Sequence, residues 1–290
     1  MRTEVPPHIP PHVTALTLAL LIFAGALGAG LLGALTGLGG GMIIVPLLAL
    51  VFKVDIRYAI GASLVSVIAT SSGAAAAYVR EGFTNVRVGM VLEVATTLGA
   101  VAGAYLAGLI STQWLAVIFG LVLLYSAFLS TRRHEDHTTT APPDAIARWL
   151  RLDSTYPVGD TMQPYTVQRV KTGFGLMFSA GVLSGLLGIG SGAVKVLAMD
   201  QAMRLPFKVS TTTSNFMIGV TAAASAGVYL HRGYIDPGLA FPVMLGVLAG
   251  ALLGARILAG ARPRVLRLIF SVVIVALAVE MLYKGLTGRI

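Results

Sequence analysis

The chain has 290 residues, of which 56% are hydrophobic and only 11% charged, with a formal net charge of +9 and no cysteine. A soluble domain carries about 25% charged residues, so this composition, with a mean hydropathy of +0.84, argues against a soluble protein and for a polytopic helical membrane protein. Without cysteine there is no disulfide framework, thiolate metal site or cysteine nucleophile. The basic balance does not read as nucleic-acid binding, because most Lys and Arg lie between apolar runs, where they orient helices and meet anionic headgroups.

In chain order, Met1 to His12 is proline-rich and too weakly basic for a signal-peptide n-region, and the apolar run after it continues past signal-peptide length, so a retained first helix is expected. Val13 to Leu35 is a full span. A glycine-rich break, Thr36-Gly37-Leu38-Gly39-Gly40-Gly41, separates it from the short apolar segment Met42 to Phe52. Tyr58 to Val79, Val88 to Ile110 and Trp114 to Ser130 follow. Thr131 to Val170 is polar and reads as a linker with one amphipathic helix near Ala145 to Leu152. The pattern then recurs: Thr172 to Leu187, the break Leu187-Gly188-Ile189-Gly190-Ser191-Gly192, and the segments Ala193 to Met203, Val209 to Leu230, Gly238 to Gly260 and Val265 to Lys284. The expected organisation is an N-terminal tail (1–12), a first transmembrane repeat (13–130), a cytoplasmic linker (131–170) and a second transmembrane repeat (171–287).

The two halves are one duplicated unit. Gly37 and Gly188, Ser63 and Ser214, Tyr78 and Tyr229, Gly82 and Gly233, Gly99 and Gly250, and Phe119 and Phe270 all stand 151 residues apart. The predicted fold is therefore all-α, with two repeats and short broken helices after the glycine-rich breaks. If each short segment counts as a crossing, each half has five crossings and the repeats are inverted; if each is re-entrant, each half has four and the repeats are parallel. The first choice puts thirteen Lys and Arg on the linker side against six, the second twelve against seven, so charge does not choose. Inverted repeats are the expectation, because they recur with discontinuous helices in transporters.

Open backbone inside a bilayer is tolerated only where protein buries it or where it lines a cavity, and paired breaks in two halves point to a transport site. Gly39, Gly40 and Gly41, with Gly190, Ser191 and Gly192, are the candidate binding backbone. The helices that follow have unpaired N–H groups and a partial positive charge, which suits an anion. For other glycines, such as Gly25, Gly99 and Gly103, close helix packing is the expectation. Lys195, three residues past the second break, would neutralise an anion there; the alternatives are snorkelling to the headgroups or pairing with Asp200. Its counterpart is Ile44, so the charge exists in one half only. Ser63, Ser214 and Asn215 offer hydrogen bonds to oxyanion oxygens, against the alternative of bonding to helix carbonyls. The same alternative is favoured for Thr211, Thr212 and Thr213.

Glu93 is a candidate for proton coupling or a partner for a basic residue, whereas Arg256 and Glu280 lie near helix ends. The His134-Glu135-Asp136-His137 group reads as a solvated loop and no metal site is expected. No G-x-S-x-G, Walker A or H-E-x-x-H motif is present, and no cofactor is expected.

Thr36 to Gly41, followed by Ala59-Ile60-Gly61-Ala62-Ser63-Leu64, resembles the sulfite exporter TauE/SafE family of membrane permeases. Gly188 to Gly192 and Ser210 to Asn215 repeat the same pattern. The resemblance implies transport of sulfite, of sulfonates such as sulfoacetate, or of thiosulfate. The expectation is a non-enzymatic, multi-pass transporter of the bacterial inner membrane, read as an exporter, with its substrate bound between the repeats. Its expected partners are a small anion and membrane lipid, with a homodimer compatible and nucleic acid not. A non-transporting assembly subunit and a permease for other small organic anions are the alternatives.

Overall fold

The computed structural model describes residues 15–36, 40–80, 82–131, 144–158, 161–258 and 263–289. The first half comprises α1 (Ala15–Thr36), α2 (Gly41–Pro46) continued by a π-helical turn (Leu47–Val51), α3 (Ile56–Arg80), α4 (Val86–Ala107) and α5 (Thr112–Thr131). A short helix α6 (Ala145–Trp149) and a hairpin of β1 (Ser154–Val158) and β2 (Thr161–Tyr165) follow. The second half comprises α7 (Val170–Leu187), α8 (Gly192–Leu197) with its π-helical turn (Ala198–Ala202), α9 (Phe207–His231), α10 (Pro237–Leu258) and α11 (Pro263–Thr287). Four helices among the described residues are long and apolar enough to cross a membrane by themselves, α1, α4, α7 and α10.

The offset seen in the sequence reappears in the backbone. Displaced by 151 residues, α2 superimposes in numbering on α8, α3 on α9 and α4 on α10, end for end. Left-handed residues at Lys53 and Arg204 close the two short helices, and Gly82 and Gly233 turn the chain after α3 and α9. The π turns also correspond. Pro46 precedes the first, but Leu197 holds the matching place in the second, so proline is not their common cause.

Side-chain neighbours fix the helix directions. Gly120 lies against Ala278 and Leu282, and Gly285 against Gln113 and Val117, so α5 and α11 run antiparallel. These two helices start at corresponding positions of the repeats, and their opposition makes the halves inverted. Asn85 meets Thr213, Glu93 meets Thr221 and Ala104 meets Arg232, so α4 and α9 run the same way. Gly181 against Thr96 and Gly185 against Ala100 give α7 that direction too. Since α7 and α9 point alike, α8 between them returns the chain to the face where α7 began. The alternating directions give each half an odd number of passes, as inversion requires, while each short helix, about 16 Å over eleven residues, leads from the break back to the face where its preceding long helix began. The breaks are the hairpin tips between a long helix and a short returning one. The start of α1 and the end of α11 share one face, and the linker lies at the other.

The layering follows from which helices meet lipid. Outward stripes such as Met90, Val94 and Leu98 on α4, and Leu121, Tyr125 and Phe128 on α5, are exposed. α3 and α9 cross at the centre, and their Ser63, Ser66, Thr212, Thr213, Ser214, Thr221 and Ser225 are buried. Protein-facing hydroxyls of this kind satisfy themselves on helix carbonyls, as Ser66 does on Ser63 and Thr70 on Ser66.

The linker is more structured than its polarity suggests. Its helix stops at Trp149, ahead of a left-handed Arg151, and the antiparallel hairpin then brings Tyr156 against Tyr165. Asp144 ties both ends, its carboxylate accepting from the Ile146 and Val170 amides. Asn85, at the start of α4, donates from its side chain to the Leu152 carbonyl and the Tyr165 hydroxyl while capping Val88. Burial pushes the Tyr165 phenol up to about 12, against the opposing hydrogen bond from Asn85. Docking on the membrane domain, which composition does not report, is what gives this polar stretch a fold. The His134 to His137 group lies outside the described residues.

Candidate functional site

The two breaks meet. A side chain on Gly41 would stand 3.2 Å from the Gly188 carbonyl and 2.9 Å from Ser63 Oγ. Ser63 on α3 donates to that same Gly188 carbonyl at 2.8 Å, so the first half grips the second break. Ser214, the repeat counterpart of Ser63, donates to the Gly192 carbonyl at 3.3 Å. Gly190 packs between Ile218 and Val67, two positions also related by the repeat, and so lies beside the pseudo-twofold axis.

The breaks differ in backbone. Gly40 is right-handed, with φ −68°, and its carbonyl accepts from the Ile43 and Ile44 amides. The second break is left-handed at Gly188, Gly190 and Ser191, with φ of 68°, 68° and 46°. That conformation suits glycine but costs a residue with a Cβ about 1–2 kcal/mol. Ser191 is fully buried, and its hydroxyl has no hydrogen-bond partner among the described residues. A strained serine with an unsatisfied buried hydroxyl, standing where the other repeat has glycine, is the kind of outlier that marks a ligand site.

Lys195 is fully buried. Helical side chains lean toward the helix N-terminus, which carries its ammonium back toward the break. There its Nζ donates to Thr221 Oγ1 at 2.6 Å, and Thr221 donates to Glu93 Oε1 at 2.7 Å. Thr96 and Thr97 also donate to the Glu93 carboxylate. No carboxylate among the described residues forms a direct ion pair with Lys195. Pairing with Asp200 is therefore not its arrangement, and neither is snorkelling, since no part of it reaches the surface. An ammonium has three donors, and among the described residues only Thr221 takes one. A fully buried cation with one hydrogen-bond acceptor among the described residues is lightly compensated.

Of the residues expected from the sequence, Gly41, Ser63, Gly190, Gly192 and Ser214 gather where α3 and α9 cross, with Ser191 between the two glycines, and Lys195 reaches Glu93 through Thr221; Gly40 instead faces Val247 of α10 and Ala29 and Gly30 of α1. Asn215 is half-buried beside Ser214. Gly39 lies outside the described residues. Ser63 and Ser214 both bond to carbonyls, yet these belong to the break and its first helical residue, so they hold its shape. Thr211 and Thr212 bond back to their own helix, and Thr213 accepts from the Asn85 amide. Sequence reasoning missed Thr221; its spacing of seven from Ser214 puts both on one face of α9, which is the signal that could have found it. Glu280 pairs with Lys284 one turn on and half of its side chain stays exposed.

Known proteins share this sequence along its length. The chain is 26% identical over 279 residues to a probable membrane transporter protein, YunE, of Bacillus subtilis, covering 93% of this chain and 99% of that one. It is 27% identical over 228 residues to the probable membrane transporter protein YdhB of the same organism, covering 78% and 85%. A probable membrane transporter protein of Xylella fastidiosa is 26% identical over 276 residues, covering 94% and 98%. No solved structure matches significantly. The profile of the sulfite exporter TauE/SafE family matches residues 21–281; with its multi-pass helical architecture, the chain belongs to that family of membrane transporters.

Proposed function

We propose that the protein is a secondary transporter that exports small sulfur-containing anions, sulfite or organosulfonates, across the bacterial inner membrane. The anion sits where the two breaks meet, and the inverted halves rock about it. The observation that carries this reading is the buried, lightly compensated Lys195 ammonium on α8 together with the strained N-cap residue of that helix, Ser191, whose hydroxyl has no hydrogen-bond partner among the described residues. Gly40, Gly41, Gly190 and Gly192 offer backbone, and Ser63 and Ser214 fix its shape. Asn215 is assigned to the rim of the site.

The test combines flux with binding. Proteoliposomes are expected to move sulfite, thiosulfate and sulfoacetate in preference to carboxylate analogues; indifference between the two classes would remove the sulfur assignment. Ser191→Gly gives effects of opposite sign. Relief of the left-handed strain raises stability by about 1 kcal/mol, while loss of one hydrogen bond to a charged group, worth about 1.5–3 kcal/mol, weakens anion binding roughly ten-fold or more. Thermal unfolding and anion titration of the same sample read both, and unchanged affinity would take Ser191 out of the site.

A further inference from the structure

Lys195 and Thr221 are fully buried and tie to the half-buried Glu93, and the repeat does not account for this group. Their counterparts in the other half are Ile44, Thr70 and Met244, so the arrangement exists once and breaks the molecule's symmetry. Thr70 only bonds back to its own helix, at Ser66 and Val67. A group that serves helix packing in a duplicated fold has no reason to appear on one side only. A group that couples transport to a second ion needs to appear only once.

We propose that Glu93, Thr221 and Lys195 form a relay that takes up one proton with each anion bound, an inference that rests on the anion-transport reading above. In the empty site the Thr221 hydroxyl stands between the charges, accepting from Lys195 Nζ and donating to Glu93 Oε1. One ammonium and one carboxylate leave the relay neutral. An anion arriving at the break takes the ammonium as its counterion, and the ammonium turns away from Thr221. The carboxylate loses its nearest cation while it stays half-buried among three threonine hydroxyls. It becomes neutral by taking a proton from water. Glu93 lies seven residues into α4, about 10 Å from its start, so the proton comes from the linker face. The loaded relay holds ammonium, anion and protonated carboxyl, and is neutral again for a monovalent anion. When the anion leaves, the ammonium returns to Thr221 and the proton departs. One proton therefore moves with each anion, in the same direction.

Among the described residues, the other ionisable groups on the elements packed around Glu93 stand toward the ends of those elements, and Asp200 is the buried carboxylate of that set. α7 contributes Lys171 in its first turn, and α9 contributes Lys208 and His231 at its two ends, with Tyr229 donating to the Gly185 carbonyl. α8 contributes Asp200, in its terminal π turn, whose carboxylate accepts from Gln201. On α4 itself Arg87 lies in the first turn and donates to the Arg151 carbonyl, and Tyr105 lies in the last.

The test uses full-length protein in proteoliposomes, with methanesulfonate and thiosulfate as probes, because both are fully ionised at neutral pH and carry no proton themselves. A gradient of about one pH unit drives about ten-fold accumulation of a monovalent anion moving with one proton, and an internal pH dye reports the proton. Glu93→Gln is expected to lose this accumulation and the pH signal while still exchanging labelled for unlabelled probe across the membrane. That exchange shows the variant is folded and the anion site intact. Glu93→Asp keeps a carboxylate and restores proton-driven accumulation. Undiminished accumulation in Glu93→Gln, or wild-type flux without proton movement, overturns the coupling while leaving anion transport standing. Absence of flux of either probe through the wild type overturns the transport reading for these anions, and the coupling with it.

Discussion

Lys195→Met is expected to reduce anion flux by about 30-fold or more, because truncating one partner of a buried charge interaction costs about 2–5 kcal/mol and each 1.4 kcal/mol is a factor of about ten. Methionine keeps the volume of the side chain and removes a fully buried charge; Glu93 loses its nearest cation but can offset that by taking a proton, so the fold is expected to survive, and thermal unfolding is read beside flux. Loss of flux with normal thermal unfolding is therefore the specific outcome. Lys195→Arg keeps the charge but places a larger planar group beside Thr221, and is expected to recover only part of the activity. If Lys195→Met folds and carries sulfite and sulfonates undiminished, the countercharge role assigned to Lys195 is wrong.

Gly103→Leu is expected to act on the fold itself. A Cβ at Gly103 would run into the Val182 carbonyl, and one at Gly99 into the Phe178 carbonyl, because α4 and α7 touch backbone to backbone. Gly250, the counterpart of Gly99, makes the same approach to Leu27 at the α1–α10 contact. These two interfaces join the halves crosswise, each first helix of a half lying against the fourth helix of the other. Ordinary overpacking costs about 1–3 kcal/mol. Here main chain must move, so a loss of about 3 kcal/mol or more and a fall in Tm of about 10 °C are expected. Gly227→Ala, where nothing lies within 4 Å, is the control. It should be neutral or slightly stabilising, since Ala is the better helix former. Equal Tm values for the two variants would mean the close contact does not bear on stability.

Much of the architecture was legible because it is written in period and repetition. Apolar runs of spanning length and one unbroken offset give helix positions to within a few residues, and glycine pairs such as Gly99 and Gly250 mark the interfaces they form. The direction of the repeats was not legible, since arginine and lysine counts divide alike under either topology; it emerges only from which residues touch, as Gly120 touches Leu282. The one amphipathic helix of the linker is legible in its sequence, but the bonds that order the rest, such as Asn85 to Tyr165, join residues 80 apart in sequence.

The site shows the same division. Glycine-rich breaks and an isolated Lys195 stand out in any membrane sequence. Thr221 does not, because a threonine in a helix of threonines and serines carries no mark until Lys195 and Glu93 are found on either side of its hydroxyl. Ser191 stands where the first break has Gly40, which sequence displays, but its weight comes from a left-handed backbone and a buried hydroxyl without a hydrogen-bond partner among the described residues, neither of which sequence displays.

The most direct measurement is the position of a bound anion, read from the anomalous scattering of selenium in crystals grown with selenite. The account places the selenium between the second break and α9, within hydrogen-bonding reach of Ser191 Oγ and Lys195 Nζ. Selenium found only among Lys53, Lys284 and Arg289, the cations of the surface cavity near the end of α11, would contradict it.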